Sequence, residues 1–441
     1  MKQMKSFLTL ALALTALASC NNENEIPGTN PEVTGVPTHA AFSVKVSSTA
    51  NTRDAAATDD NGVVQEQKIG SLKVFIFNGG VLETTGDITL NENNEGTATL
   101  PTTTGPKEIY AVANPKTDMT LNVGQTLDEF KALAVNAGTT SATPDENIAG
   151  ENVFTMIGSV VTTLTEQTAA QALASRINIT VSRGAAKVQL QYDATKVTQN
   201  QDLKGVFSEP KYLVAQMNTK MFLPRKDYEL TPNGADGEPN QVDGNNDHTF
   251  DHLTTVPADM TAAKAAVNPW DNAFANSFYT AENVNEAPTT GNTTFALVQL
   301  KYTPDNSEIQ GSNTTLTAGT FYVLRKTDGT NLIYADNTEA QTAQQSAAGS
   351  TVKTYTGGLC YYRVNLRDIT KTVLKEKYCV LRNNYYKINI TQINSLGGNS
   401  TTDPEVIVPT DPDTPLETET HISANILIAP WNPILMNEPL G

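Results

Sequence analysis

The amino-acid sequence predicts an all-β protein with few short helices. It is rich in threonine, asparagine, valine and glycine, which favour strands and turns over helices. Turn-forming residues recur roughly every ten positions, a spacing typical of many short strands. Apolar residues alternate with other residues near both ends of the chain, which is the period of a half-buried strand. The 441 residues are enough for two or three domains.

The first twenty residues have the pattern of a bacterial export signal. Lys2 and Lys5 precede an apolar run over residues 7–18 that is too short to cross a bilayer as a stable helix. The run ends in Leu-Ala-Ser-Cys, which resembles the box cut by lipoprotein signal peptidase and predicts a lipid on Cys20. The alternative is an incidental cysteine behind an ordinary signal. Either way, the mature protein is predicted to work outside the cytoplasm.

A tether, a strand and an exposed loop are predicted next. Residues 21–37 are polar and rich in Pro and Gly, as in flexible tethers. Residues 40–46 then alternate, which predicts a strand with one buried face. The apolar positions of that face are Ala40, Phe42, Val44 and Val46. Residues 47–61 are small and polar and include Arg53, so this loop is a predicted site for a trypsin-like protease.

Two β-domains are predicted over residues 54–183 and 184–402, with the boundary at the turn formed by residues 182–185. Strands of the first are expected at residues 72–77, 108–113, 153–157 and 177–181, with a helix over 127–135. Strands of the second are expected at residues 186–192, 212–223, 295–302, 321–324, 361–366 and 385–393. Residues 231–251 and 328–354 are predicted to be long loops, too polar to bury.

The C-terminal segment, residues 403–441, combines a linker with a strand. Residues 403–420 contain four prolines among threonines and acidic residues, which predicts an extended, unpacked chain. A strand follows in which apolar residues share one side. These residues are Ile422, Ala424, Ile426 and Ile428. So hydrophobic a strand at the end of a secreted protein needs a place to dock.

Charge and motifs exclude several classes of function. The formal net charge is −17, from 47 acidic and 30 basic residues, so an acidic surface would repel nucleic acid. There is no HExxH motif, no nucleophile elbow and no phosphate-cradling glycine loop. We therefore predict neither an enzyme nor a bound cofactor. A glycosidase that uses two carboxylates stays open as an alternative.

Cysteines and acidic clusters give little sign of a metal site. Cys360 and Cys379 lie in two predicted strands that could be neighbours, so they either form a disulfide or are two buried free thiols. Zinc is less favoured, because histidines at ligand spacing are missing. Residues 243–247 resemble the start of a calcium loop, but His248 replaces the required glycine and Thr254 the bidentate glutamate. No metal is predicted.

One stretch of the sequence gives a specific resemblance. Residues 378–390, YCVLRNNYYKINI, resemble the "vLRNxxYxvxI" signature of the Bacteroidales fimbrillins, the subunits of type V pili. Further similar stretches, in the expected order, are residues 182–190, Glu282 with Asn283, 293–302, 360–366, and Gly397 with Gly398. With the lipoprotein box they extend over most of the chain. The agreement is best with Mfa-type shaft subunits of that family.

The resemblance implies two tandem β-sandwich domains of transthyretin-like, Greek-key type, and an assembly triggered by proteolysis. In fimbrillins the lipoprotein reaches the outer membrane, an arginine-specific protease cuts the loop after the first strand, and the opened groove accepts a strand from the next subunit. Carried over here, the cut lies between Arg53 and Asp54. The plug strand that is discarded is residues 40–46, and the donor strand is residues 421–428. The acidic Asp54 departs from what such proteases prefer.

The implied partners are further copies of the chain, tip and anchor subunits, the protease, the outer membrane through the lipid, and host or bacterial surface receptors. The implied role is that of a shaft subunit supporting adhesion and biofilm formation. Two other classes remain open. One is an accessory tip or anchor subunit, or a monomeric adhesin that binds glycans and needs no free donor strand. The other is a hydrolase, which would lose activity on single Asp or Glu substitutions.

Overall fold

The structure is a computed structural model. It describes residues 34–47, 60–115, 121–137, 147–224, 253–271, 273–285, 287–416 and 421–432. Strands up to residue 183 are β1 Pro37–Ala40, β2 Phe42–Val46, β3 Asp60–Asn61, β4 Leu72–Asn78, β5 Val81–Ile88, β6 Leu100–Thr103, β7 Gly105–Ala113, β8 Ala134–Asn136, β9 Ala149–Gly150, β10 Val153–Phe154, β11 Met156–Leu164 and β12 Ile177–Arg183.

The later strands belong mostly to two facing sheets and a smaller third one. They are β13 Ala186–Gln191, β14 Thr198–Gln199, β15 Val206–Ala215, β16 Lys220–Phe222, β17 Lys264–Ala265, β18 Phe278–Thr280, β19 Phe295–Thr303, β20 Ile309–Gln310, β21 Phe321–Arg325, β22 Asn331–Tyr334, β23 Thr351–Tyr355, β24 Leu359–Asn365, β25 Asn384–Ile393 and β26 Ile422–Asn432. The α-helices are short: α1 Leu127–Lys131, α2 Ala169–Ala174, α3 Asn337–Gln345 and α4 Leu374–Lys377. No helix in the described ranges has the length and apolar character needed to span a membrane.

The first lobe is built around one six-stranded sheet in the order β2-β12-β11-β7-β4-β5. Neighbours in this sheet are antiparallel, except that β2 and β12 are parallel. A two-stranded sheet of β1 and β6 lies beside it. Its buried cluster runs from Ala40 to Ala185 and gains a few side chains from later in the chain.

The second lobe is a β-sandwich. One sheet has the order β18-β13-β25-β26-β3, with β14 also on β25, and the other has the order β17-β15-β19-β24. Alternate residues of β19 point in opposite directions, so Val298 and Leu300 join the cluster between the sheets while Phe295 and Leu297 join a cluster on the outer face. The chain is thus all-β, as predicted, and the buried clusters of the two lobes meet at Ala185 and Ala186.

Several sequence predictions are corrected by the structure. Residues 328–354 are not a long loop but contain β22, α3 and most of β23, which form a sheet in the order β20-β22-β21-β23. Ala340 on α3 is fully buried against that sheet. The helix expected over 127–135 ends at Lys131, because the chain turns there to pair β8 with β16. Residues 231–251 lie outside the described residues.

Candidate functional site

The plug strand divides into two parts at Ala41. Its first residue belongs to β1, which pairs with β6, and the remainder is β2, at the edge of the six-stranded sheet. β2 pairs with β12 in parallel register, with Phe42 opposite Ile177 and Val46 opposite Val181. Parallel pairs are slightly less stable per residue than antiparallel ones, so β2 is held by the weakest type of pairing in its sheet.

The side chains of the plug strand fill the core of the first lobe. Ala40 and Phe42 are fully buried, Val44 is nearly so, and Val46 is half-buried. Lys45, between the last two, is exposed. The alternation predicted from the sequence therefore corresponds to one face in the core and one toward solvent, although Ala41, at the division, is also buried.

The sequence did not predict the other segments of the chain that surround the plug strand, which are called its walls here. On its free edge the Val44 N–H donates to the Asn94 carbonyl (3.0 Å) and the Gly96 N–H donates to the Phe42 carbonyl (2.8 Å). On β1 the Thr38 hydroxyl donates to the Thr165 carbonyl (2.9 Å). The capping box of Thr168 with Gln171 could have indicated the helix that closes this wall, since it is a start signal readable in sequence.

The C-terminal strand is docked within its own chain. β26 pairs antiparallel with β25 along nearly its whole length, with Ile426 opposite Ile388 and Ile422 opposite Ile393. Ile422, Ala424 and Ile426 are buried in the cluster of the second lobe. Leu427, on the other face, is exposed. The place to dock that the sequence required is thus present in the same molecule.

The proline-rich linker is packed, which corrects the prediction of an unpacked chain. Ile407 is fully buried on the outer face of β15 and β19. The guanidinium of Arg363 donates to the Ile407 carbonyl (3.0 Å) and to the Thr290 carbonyl (2.9 Å). Lys353 forms ion pairs with Asp403 (2.9 Å) and Glu405 (2.7 Å). Composition predicts the extended conformation of a linker but not whether single side chains anchor it.

A buried ionic network begins just after the predicted cleavage loop. The Glu66 carboxylate pairs with Lys187 (2.7 Å), with both side chains inaccessible, and accepts the Tyr279 hydroxyl (2.6 Å). The Arg183 guanidinium donates to the Glu66 carbonyl (2.8 Å). Burial lowers the pKa of Lys187 and lowers that of Arg183 to about 10, while Glu66 opposes both shifts. Residues of both lobes meet in this network.

Cys360 and Cys379 are both buried and are not joined by a disulfide, so the predicted possible disulfide is absent and the alternative of two buried thiols holds. Cys360 lies on β24, which pairs with β19, whereas Cys379 precedes β25 in the other sheet. The two segments expected to be neighbours therefore belong to different sheets. Burial raises the pKa of the Cys360 thiol, which keeps it protonated and unreactive.

Three predicted site residues, Cys20, Arg53 and Asp54, lie outside the described residues, and the side chain of Ile428 is likewise not described. The structure brings the remaining plug and donor residues into two separate sheets of one chain. Within the described ranges, no three His, Cys, Asp or Glu side chains are grouped as a metal site.

Comparison with known proteins adds the family. A model described as "Major fimbrial subunit protein (FimA)" matches residues 40–202, which include β2 and β12. A second, "Major fimbrial subunit protein type IV, Fimbrillin, C-terminal", matches residues 353–436, which include β25 and β26. The two matches together cover more than half of the chain and contain the plug strand and the donor strand.

Individual relatives agree. The chain is 25% identical over 471 residues to the minor fimbrium subunit Mfa1 of Porphyromonas gingivalis, covering 94% of this chain and 90% of that protein. Among solved structures, a fimbrilin (fimA) from Porphyromonas gingivalis W83 covers 90% of this chain and 98% of its own, at 16% identity and a TM-score of 0.50. A candidate cell adhesion protein from Parabacteroides distasonis is also similar, with a TM-score of 0.50 at 14% identity. The match covers 90% of this chain and all of that one. Family models, relative and fold concur that the chain belongs to the Bacteroidales fimbrillins, the subunits of type V fimbriae, and is similar to the Mfa-type members.

Proposed function

We propose that this fimbrillin is a structural subunit that polymerises by exchanging strands between copies after proteolysis. In this scheme the precursor is exported with a lipid on Cys20 and reaches the outer membrane. An arginine-specific protease then cuts between Arg53 and Asp54 and releases the plug strand. The donor strand of a neighbouring copy fills the opened groove, and the resulting extracellular fimbrium supports adhesion and biofilm formation. The chain itself has no catalytic step in this role.

The observation that carries the proposal is the position of β2. It is an edge strand with a buried face, and it shortly precedes Arg53, which lies in the segment that the sequence predicts to be an exposed loop. Its loss would leave the β12 edge unpaired and would open the core where Phe42 and Val44 had packed. An unpaired edge beside an open hydrophobic groove is a template for a strand from another chain.

Energy favours filling the groove only after cleavage. Burying a large apolar side chain such as Phe42 stabilises by roughly 1.5–3 kcal/mol, and main-chain hydrogen bonds add to this. Leaving β25 costs the donor strand a similar amount, because Ile422 and Ile426 are buried there. With the plug strand in place, the donor strand would lose its pairing with β25 and would find no open groove to fill, so the precursor stays monomeric. With the groove open, the two places compete and a filament becomes accessible.

The moving arm is shorter than the C-terminal segment as a whole. Ile407 and the ion pairs of Lys353 hold the linker, and the Thr290 N–H donates to the Thr414 carbonyl (3.0 Å). We infer that residues after 416 form the arm, while residues 54–183 and 184–402 form the two domains. Because groove and arm are on different lobes, contacts are head to tail and need not close, so a filament can form.

Tip and anchor subunits, the protease and a host or bacterial receptor are the further partners in this scheme.

A second candidate function is that of a monomeric surface adhesin whose own C-terminal strand completes its fold. The docked β26 favours it, because a strand already paired within its own sheet leaves no donor free. The two candidate functions differ in whether β26 ever leaves its pairing with β25.

The test compares surface extracts on unboiled detergent gels, where strand-exchanged polymers are expected to run as a ladder. Arg53→Ala should abolish the ladder, because the plug strand stays in place. Arg367→Ala, which removes an arginine of the second lobe, is the matched control and should leave the ladder unchanged. N-terminal sequencing of fibres should begin at Asp54. Fibres that retain Phe42 and Val44, or a ladder that survives Arg53→Ala, would contradict the proposal.

A further inference from the structure

A cavity in the second lobe takes no part in the strand arrangement described above. Its volume is about 240 Å³, and it lies between the β21–β22 hairpin, β23, the loop after β25 and the residue preceding β26. Val323 and Leu396 give it a buried apolar floor. The polar residues that line it are Arg325, Lys326, Asn331, Tyr355, Ser395 and His421.

The lining is unusual for so acidic a chain. The protein has a net charge of −17, yet within the described residues no Asp or Glu lines this cavity. Glu405 is not part of the lining, and its carboxylate forms ion pairs with Arg325 (2.6 Å) and Lys353 (2.7 Å). Asp328 accepts the Thr330 N–H (2.9 Å) within the hairpin turn. Glu405 is thus shared between two cations, Arg325 and Lys353, and Asp328 is held by the backbone of its own turn.

One buried hydrogen-bond donor of the lining, the Arg325 Nε, lacks an acceptor in the described part of the chain. Arg325 donates to the Tyr355 hydroxyl (3.2 Å), but its Nε is buried with no acceptor. Lys326 forms no ion pair with any described residue. His421 contacts the Ser395 hydroxyl through Nδ1 (2.5 Å), which leaves Nε2 for a ligand. Burying a hydrogen-bond donor without an acceptor costs free energy, and a bound ligand or ion that accepts the hydrogen bond would offset this cost.

We propose that this cavity binds a small oxyanion, namely the carboxylate or phosphate group of a ligand no larger than a monosaccharide. The volume is below that of typical sites for drug-sized ligands, which fits this size limit. Lys326 and Arg325 supply positive charge, and charge-assisted hydrogen bonds to an oxyanion are about twice as strong as neutral ones. Asn331 and the apolar floor would contact the rest of the ligand.

Binding has a consequence for the C-terminal strand. His421 directly precedes β26, and its carbonyl accepts the Asn394 N–H (2.9 Å). The site is therefore complete only while β26 is docked in its own sheet. The inference does not rest on the proposed strand exchange, because the site is formed within the uncleaved chain, but release of β26 would remove His421 from the site.

The test is calorimetric titration of the full-length precursor with inorganic phosphate, glucuronic acid and glucose. We expect phosphate or glucuronic acid to bind, and comparison of the two identifies the oxyanion that is preferred. Glucose, which has the size of glucuronic acid without its carboxylate, should not bind. Lys326→Gln should weaken binding about tenfold, the loss expected from one charge-assisted contact.

Lys211→Gln is the matched control. Lys211 is an exposed lysine on β15, and its substitution removes the same charge as Lys326→Gln. It should leave the affinity unchanged. Asn331→Ala, an exposed position, provides a second variant that should weaken binding without affecting folding. The inference is overturned if neither anion binds at millimolar concentration, if glucose binds as well as glucuronic acid, or if Lys326→Gln and Lys211→Gln bind equally.

Discussion

Glu66 connects the two lobes through buried polar contacts. It pairs with Lys187 of β13 and accepts the Tyr279 hydroxyl, and all of these groups are buried. Its position a few residues after the predicted cleavage loop means that the new N-terminal part of a subunit cleaved at Arg53 would stay anchored. Removing one partner of such a pair leaves an uncompensated charge in the interior.

We therefore predict that Glu66→Ala lowers the free energy of unfolding by about 3 kcal/mol or more. Urea denaturation followed by circular dichroism measures this change. Glu209→Ala is the control, because Glu209 forms an exposed ion pair with Lys301 (2.8 Å) and should show no measurable change. Equal stability of the two variants would contradict the role assigned to Glu66.

His421 should make the docking of β26 depend on pH. Burial, and secondarily Arg325 and Lys353, lower its pKa below the ordinary 6.5, while Asp403 and Glu405 partly oppose this. A released or unfolded strand would have the ordinary pKa and so bind more protons. Stability is therefore fully present above about pH 6.5 and is lost as the pH falls toward the lowered pKa.

The measurement is urea denaturation at about pH 7 and about pH 5. His421→Gln cannot be protonated, so it should lose less stability between the two pH values than the unaltered protein. Comparing the two chains cancels the contribution of the carboxylates that titrate in both. An identical loss in both chains would show that His421 does not control the docking of the strand.

At the scale of elements, the linker and the donor strand behave differently. The linker is fixed by Ile407 and by a bridge between Thr289 and Pro415, whereas β26 is held by its pairing with β25. If only the arm moves during fibre assembly, a cross-link that holds the linker should leave assembly intact. A cross-link that holds the arm on β25 should block it. Disulfides between opposite residues of antiparallel segments can fix each one separately.

We predict that a cysteine pair at Thr289 and Pro415, once oxidised, leaves fibre assembly intact. A pair at Asn389 and Asn425, which are opposite each other on β25 and β26, should block assembly until a reductant is added. Detergent-resistant ladders before and after reduction are the readout. Assembly with the arm fixed would exclude strand exchange, and a block by the linker pair would mean that the linker moves too.

Elements differed in how far the sequence could predict them. Strands such as β4, β19 and β25 were recognised because aromatic and β-branched residues in them alternate or form apolar runs. β22 and α3 were missed because polar residues dominate residues 328–354, although Ile333 and Ala340 are buried. The docked linker depends on Ile407 and Arg363, and no local pattern indicates a contact between residues so distant in the chain.

The candidate site was predictable to a similar extent. The plug residues Ala40, Phe42 and Val44 are buried on one face, as their alternation indicates. The strand that receives them, β12, and the Asn94 wall could not be identified, because pairing partners are set by tertiary structure. The same reason explains the wrong suggestion that Cys360 and Cys379 lie on neighbouring strands.

At the scale of the whole molecule, groove and arm should be separable activities. A subunit of residues 54–441 with the oxidised Asn389–Asn425 cysteine pair has an open groove and a fixed arm. A full-length subunit with Arg53→Ala has a filled groove and an arm that is not cross-linked to β25. Since each has only one of the two complementary surfaces, neither can form a chain with itself.

We predict that each of these subunits is monomeric alone and that their mixture forms a one-to-one heterodimer that does not grow. Light scattering after size-exclusion chromatography measures the masses, in about 0.15 M salt to screen the repulsion between acidic subunits. Reducing the cysteine pair is the control, because it restores an arm to the open subunit and should convert the dimer into polymers. Growth of either subunit alone would place the contact on another surface. A mixture that stays monomeric would mean that the arm does not enter the groove beside β12.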